Sequence, residues 1–301
     1  MELYQLRSFA AVAEVGHLTR AAEKLHISQP AVSAQIKALE DELGVALFER
    51  VSSGMVLTSA GRKLLPAAEK VLAAAQLLRS RARALQGQVV GRVSVGTVSD
   101  PSFTRVGDFL AHAVEAHPLL EIEIHHEVSG AAFNKVSDGE LDASFYYGSL
   151  EHPDVAAVPL IDFAYRIVAP APWGDRIRHA SWEEIVALPW IVSPPISTLR
   201  TLADQLFAQR GSSPVTRVEA DNEAVIRSLV VAGGGVSLMR EDIALDAAAA
   251  GEVVLWNKVR LETTLKFLYI KQRENDPEIR ALLDVLHQVW ASAPAILRQQ
   301  A

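Results

Sequence analysis

The 301-residue chain contains no cysteine. That excludes disulfides, cysteine nucleophiles, thiolate metal sites and thiol redox sensing, and it suits a reducing compartment. No run of about 18 charge-free apolar residues occurs, so no segment reads as a membrane span. The first residues carry Glu2 and Arg7 and lack the apolar stretch of a signal peptide. These absences predict a soluble, cytoplasmic protein. Catalytic signatures are missing as well: there is no GxSxG, no HExxH and no paired-cysteine zinc motif. Gly233-Gly234-Gly235 lacks the Lys-Ser/Thr of a phosphate loop and reads as a helix stop. His125 and His126 are adjacent, so on a strand they point to opposite faces and do not make a metal pair. The reading is of a non-enzyme, with no catalytic residue, metal or cofactor.

Half the residues are hydrophobic and 22% are charged, enough for a sizeable core and for about two domains. The net charge of −7 argues at first against nucleic acid. Its distribution is uneven. Residues 1–87 hold 11 Lys/Arg against 8 Asp/Glu, whereas residues 88–301 hold 18 against 28. Such asymmetry points to different tasks in the two parts.

At the N-terminus, Leu3, Leu6, Phe9 and Ala10 fall at helical spacing and stop at Gly16. Thr19 is the expected cap of a second helix over 20–25, and Ser28 of a third over 29–42 with Pro30 in its first turn. So short a turn between the second and third helices is that of a helix-turn-helix. On the third helix Val32, Ile36 and Leu39 form the inward face, and Gln29, Ser33 and Lys37 form an outward polar ridge. Amide and hydroxyl groups of that kind pair with base edges in a major groove, and a lysine reaches phosphate. Leu47 to Val56 reads as two short strands around a Ser-Gly turn, a wing that sets Arg50 beside the backbone of a duplex.

Thr58 is the expected cap of a helix running to about Leu85, roughly 42 Å long. Leu64, Val71, Leu78 and Leu85 recur at heptad spacing, with Ala68, Ala75 and Ala82 one turn further on. The stripe either packs on its own protein or forms a dimer seam. The length favours the seam. GQVVG at 87–91 is the natural joint. Beyond it strand-like and helix-like segments alternate, as in an α/β domain with largely parallel sheets. The strands are read at 93–97, 121–127, 143–147, 165–169, 190–192, 216–219, 235–239, 253–256 and 266–270. The helices are read near 102–116, 131–138, 181–187, 198–209, 222–232 and 277–293.

SQPAVSAQIKALEDELGVALFER followed by LTSAGRKLL resembles the N-terminal region of LysR-type transcriptional regulators. The resemblance spans the chain. It implies an N-terminal all-α winged helix-turn-helix at 1–57, a linker dimerisation helix at 58–87 and a two-lobed, periplasmic-binding-protein-like α/β effector domain at 88–301. Lobe I would take about 92–161 and 268–301, and lobe II about 162–267. It implies base reading by Gln29, Pro30 and Ser33 and a wing contact from Arg50, to which the residues add Thr19, Ser28 and Lys37 as DNA contacts. Many members have arginine where this chain has Ala34, and basic wing residues where it has Ser52 and Ser53. Residues 1–57 carry 5 basic and 7 acidic side chains, so affinity must rest on local placement and on multivalency.

The resemblance further implies a homodimer or homotetramer on an inverted-repeat promoter site in double-stranded DNA, RNA polymerase as partner of an activator, and a small-molecule effector between the lobes. In such folds ligands meet strand C-termini and helix N-termini. Those positions are Thr97, Ser99, Ser102, Ser129, Ser193, Ser197, Thr198 and Asn222. Each is also a common helix-capping type. Tyr146 and Tyr147 alternate across a strand, so one of the two, taken as Tyr147, should face the cleft. Hydroxyls and free N–H groups there suit an organic acid, and a phenol suits an aromatic compound. Asp100 beside them either caps its own helix or disfavours a small anion.

Overall fold

The structure is a computed structural model that describes residues 1–51, 54–84, 88–98 and 100–291. Leu85 and Ser99, with Ser52 and Ser53 of the wing, lie outside the described residues. The chain packs as two units, Met1–Gln86 and Gly87–Ala301.

The first unit begins with α1 (Leu3–Val15), α2 (Leu18–Leu25) and α3 (Gln29–Leu43). Leu6, Phe9, Val12, Ala21, Val32, Ile36 and Leu39 are buried together, each large side chain contributing about 1.5–3 kcal/mol. Gly16 ends α1 in the left-handed region with φ of 70°, and the same conformation at Gly44 ends α3. Thr19 is not the cap expected of it. The turn at Gly16 leaves a single residue, His17, before α2, so His17 takes the cap position and Thr19 falls in the first helical turn. Ser28 does cap α3, its Oγ accepting from the Ala31 N–H at 3.4 Å.

The wing is an antiparallel pair, β1 (Phe48–Val51) and β2 (Gly54–Leu57), with Val51 opposite Gly54. The Met55 N–H donates to the Gly16 carbonyl at 2.8 Å, which ties the wing to the α1–α2 turn. Gly54 is required there: its φ is 135°, and a Cβ would lie 2.4 Å from the Gly16 oxygen. Thr58 Oγ1 accepts from the Gly61 N–H at 2.9 Å and so starts α4 (Ser59–Ala84).

The second unit is built on two long antiparallel strands, β6 (Val155–Pro170) and β10 (Val253–Ile270), paired from one end to the other. At one end β10 continues into β5 (Ala143–Tyr147), β3 (Gly91–Thr97) and β4 (Leu120–His126); at the other, β6 pairs with β9 (Ser237–Arg240). Helices α5 (Val106–Ala116), α6 (Ser129–Asp138) and α12 (Pro277–Ala291) complete the first lobe. The second lobe holds α7 (Gly174–His179), α8 (Trp182–Val186), β7 (Pro189–Val192), α9 (Thr198–Gln209), β8 (Val215–Glu219), α10 (Glu223–Val231) and α11 (Glu241–Ala249). Phe109, Phe145 and Phe267 form an aromatic trio in the first lobe's core, with Phe145 edge-to-face on both others. Trp190, Phe207 and Trp256 anchor the second.

Several expected elements are corrected. The strands read at 253–256 and 266–270 are one strand, with irregularities between Trp256 and Arg260 and between Leu265 and Lys266. The strand read from 165 begins ten residues earlier, at Val155. Among the described residues, parallel pairing is confined to β3–β4, β3–β5, β7–β8 and a bridge at Trp190. The helix read from 102 starts at Val106, because Asp100 to Arg105 forms a turn that ends with Arg105 at φ of 49°. Helices α7 and α11 had no counterpart in the sequence reading.

Candidate functional site

On α3 the polar ridge stands clear of the core. Pro30 and Lys37 are exposed, Gln29 and Ser33 are half-buried, and Ala34 lies exposed among them. Gln29, Ser33 and Lys37 make no side-chain hydrogen bond or ion pair among the described residues, nor do exposed Thr19 on α2 and Arg50 on β1. Ser28 is engaged as the cap. The ridge is thus a solvent-facing row of donors and acceptors with no partner inside the described fold, backed by buried Val32, Ile36 and Leu39. Two other cations of this unit are paired: Lys24 with Glu14, and the Met1 amino group with Glu42.

The stripe on α4 divides in two. Leu64 is half-buried and packs into the core of its own unit. Val71 is 41% exposed and Leu78 is 71% exposed. Ala68 is buried, and Leu6, Phe9, Leu39, Leu64, Ala67 and Val71 help line an apolar hollow of about 110 Å³.

In the second unit the lobes meet along the crossing strands. The Thr198 hydroxyl donates to Ser129 Oγ at 2.9 Å, and the Gly130 N–H donates to the Ile196 carbonyl at 3.1 Å. Ser129 is only 2% exposed. The approach is so close that a Cβ on Gly130 would lie 2.1 Å from the Ile196 oxygen. One cavity of about 470 Å³ is lined by Tyr146, Gly148, Thr198, Gln205, Glu262 and Lys266 among others. Another, of about 440 Å³, lies between Val98, Asp100, Pro101 and His126 of the first lobe and Asp221 to Ala224, Arg227 and Ile243 of the second.

The residues expected at the cleft are not gathered at one surface. Asn222 lines the second cavity and Thr198 the first. Thr97 is buried 3.4 Å from the Thr104 hydroxyl. Ser102 is exposed, with its N–H given to Asp100. Ser193 and Ser197 are buried, and Ser197 caps α9. Tyr147 is buried in the first lobe's core, and its hydroxyl donates to the Val98 carbonyl at 2.8 Å. It is Tyr146 that borders a cavity, and burial raises its pKa.

The sequence reading missed Arg240. This residue ends β9 and is 3% exposed. Glu223 lies at 2.9 Å, Asp242 at 2.7 Å and Asp100 of the other lobe at 3.6 Å. Its guanidinium also stacks over Phe103, 4.0 Å from the ring centre. Burial opposes the charge, but the Asp242 hydrogen bond and the fields of Glu223 and Asp242 outweigh it and raise the pKa further. The Tyr165 hydroxyl donates to Glu223 at 3.4 Å, and burial, followed by the Glu223 charge, pushes its pKa well up. No local sequence pattern marks it, because its partners come from other elements.

Comparison with known proteins matches residues 3–62 to the lysR family of bacterial regulatory helix-turn-helix proteins, and residues 86–291 to the LysR substrate binding domain. The HTH-type transcriptional regulator IlvR of Caulobacter vibrioides is 34% identical over 250 residues, covering 79% of this chain and 82% of that protein. A full-length OxyR variant from Pseudomonas aeruginosa superposes with a TM-score of 0.64 at 25% identity, covering 95% of each chain. ArgP from Mycobacterium tuberculosis shares the fold with a TM-score of 0.68 at 22% identity, over 96% of this chain and 97% of that one.

Proposed function

The chain belongs to the LysR family of transcriptional regulators, with a helix-turn-helix domain and an effector-binding domain, and on that premise we propose which of its residues do the work. Gln29, Pro30 and Ser33 meet base edges in the major groove, while Thr19, Ser28, Lys37 and Arg50 meet the phosphate backbone. Two copies joined along Val71 and Leu78 of α4, with Leu85 continuing the stripe, set two modules on an inverted-repeat site. Larger assembly proceeds through the effector domains. The protein acts in the cytoplasm as a binding protein, not an enzyme, and contacts RNA polymerase if it activates.

An effector enters between the lobes and favours one lobe arrangement over another. That shift changes how protomers pack and hence the spacing of the DNA modules. The observation that carries this reading is the α3 ridge: a buried apolar face holds a row of polar side chains with no partner in the fold.

Footprinting on the promoter region of the chain's own gene, with and without candidate effectors, tests it. A protected inverted repeat whose pattern alters with effector is the expected result. No protected site under any condition overturns it.

A further inference from the structure

We propose that the effector cleft between Asp100 and α10 takes a cationic ligand, an amine or guanidine, and excludes small carboxylates. The proposal rests on the placement of the effector between the lobes.

Carboxylates dominate the wall of the 440 Å³ cavity: Asp100, Asp221 and Glu223 line it, against Arg227 and His126. Arg227 is already held by Glu252, with Nη2 2.7 Å from Oε2. Asp221 is exposed and makes no hydrogen bond or ion pair among the described residues. Arg240, the buried cation behind the wall, faces three carboxylates. To reach the buried guanidinium, an incoming anion would have to displace one of them, an exchange with no net gain in charge pairing.

The cradles that would hold a carboxylate are filled by the chain itself. Asn222 Oδ1 accepts from the Ala224 and Val225 N–H groups at 2.9 and 3.2 Å. Ser197 Oγ takes the Leu199 N–H, Asp100 takes the Ser102 N–H, and the Ile196 carbonyl takes the Gly130 N–H. Glu223 adds a negative charge in the first turn of α10, offsetting the positive end of its dipole. Among the described residues, the Ser102, Ala224 and Val225 N–H groups beside this cavity are therefore already taken and not open to the organic acid expected from the sequence. A cation finds an unpaired acceptor in Asp221 and two further carboxylates beside it.

Titration calorimetry on the full chain with agmatine, 1,4-diaminobutane, succinate and 1,4-butanediol tests the proposal. Three variants accompany it: Asp221→Asn, Asp100→Asn and Ala224→Trp, the last filling the cavity. The expected result is saturable binding of at least one cation and none of succinate or the diol. Asp221→Asn, which breaks no internal bond, should weaken cation binding roughly tenfold, the loss of one close charge–charge contact, and Ala224→Trp should abolish it. Succinate bound instead of the cations, and lost in Ala224→Trp, overturns the charge assignment while leaving the effector in the cleft. Cation binding indifferent to both Asp221→Asn and Ala224→Trp overturns the cleft placement itself. No cation binding up to about 10 mM, weaker than any useful affinity, also overturns the proposal.

Discussion

The Arg240 guanidinium reaches the Asp100 carboxylate at 3.6 Å from the opposite lobe and is the buried centre of a cluster that also holds Glu223 and Asp242. The two ends of this ion pair differ in exposure. Asp100 is 43% exposed, while the Arg240 side chain is 4% exposed. Removing the arginine leaves Glu223, the least exposed of its three carboxylates, without this partner, so Arg240→Ala should cost about 1–3 kcal/mol. Asp100→Asn touches only the solvated end and should cost about 1 kcal/mol or less. All five tryptophans lie beyond residue 88, so urea unfolding followed by tryptophan fluorescence reports on this unit alone. Equal costs for the two variants would show that the arginine is not the anchor.

The α3 ridge makes a separable prediction about DNA. Gln29→Ala and Ser33→Ala should each lose about 1–3 kcal/mol of discrimination at one base position. Lys37→Ala should weaken binding to all sequences alike and lower the salt slope by about one. Anisotropy titrations on a cognate and a scrambled promoter fragment at several salt concentrations separate the two behaviours. Uniform weakening from Gln29→Ala would remove it from the base-reading set.

These two regions were not equally legible in the sequence. On α3 one 3.6-residue period sorts Val32, Ile36 and Leu39 from Gln29, Ser33 and Lys37, and a local rule suffices. The crossing strands defeat such a rule. Pro159 and Asp162 interrupt the pattern of β6, and Pro159 sits beside the register shift between Leu265 and Lys266 of its partner. Only pairing along the whole length of β10 makes the segment a strand. Arg240 was invisible because its partners come from three elements. Tyr147 was assigned to the cleft on alternation alone, which says that two faces differ but not which one carries the cavity.

Alternation of a longer kind governs α4. Leu64 belongs to the core of its own unit, but Leu78 is 71% exposed. Burying such a side chain between two copies is worth about 1.5–3 kcal/mol per chain. Leu78→Glu should therefore shift the chain toward monomer in sedimentation equilibrium while leaving its circular dichroism unchanged. A variant that sediments as the parent does would place the seam elsewhere.

The acid limb of stability should run through Glu241. Its carboxylate accepts from Arg260 Nε and Nη2 at 3.0 and 2.9 Å and from Arg166 Nη1 at 3.1 Å. The Arg260 hydrogen bonds, set against a burial effect of opposite sign and helped by the charges of Arg260 and Arg166, hold its pKa below the usual carboxylate value. A pKa lowered by folding means that the unfolded chain binds the proton more tightly. The contribution is then fully present above about pH 5 and is lost as pH falls through the depressed value. Glu241→Gln keeps the shape and removes the charge, so at pH 7 it should lose about 1.5–3 kcal/mol, the range for hydrogen bonds to a charged group. The gap between parent and variant should narrow as both are taken toward pH 3 or so, where the parent carboxylate is itself becoming neutral. Urea midpoints measured at half-unit pH intervals give both curves. Parallel curves down to the lowest pH would show that Arg260 and Arg166 do not hold Glu241 in its charged form.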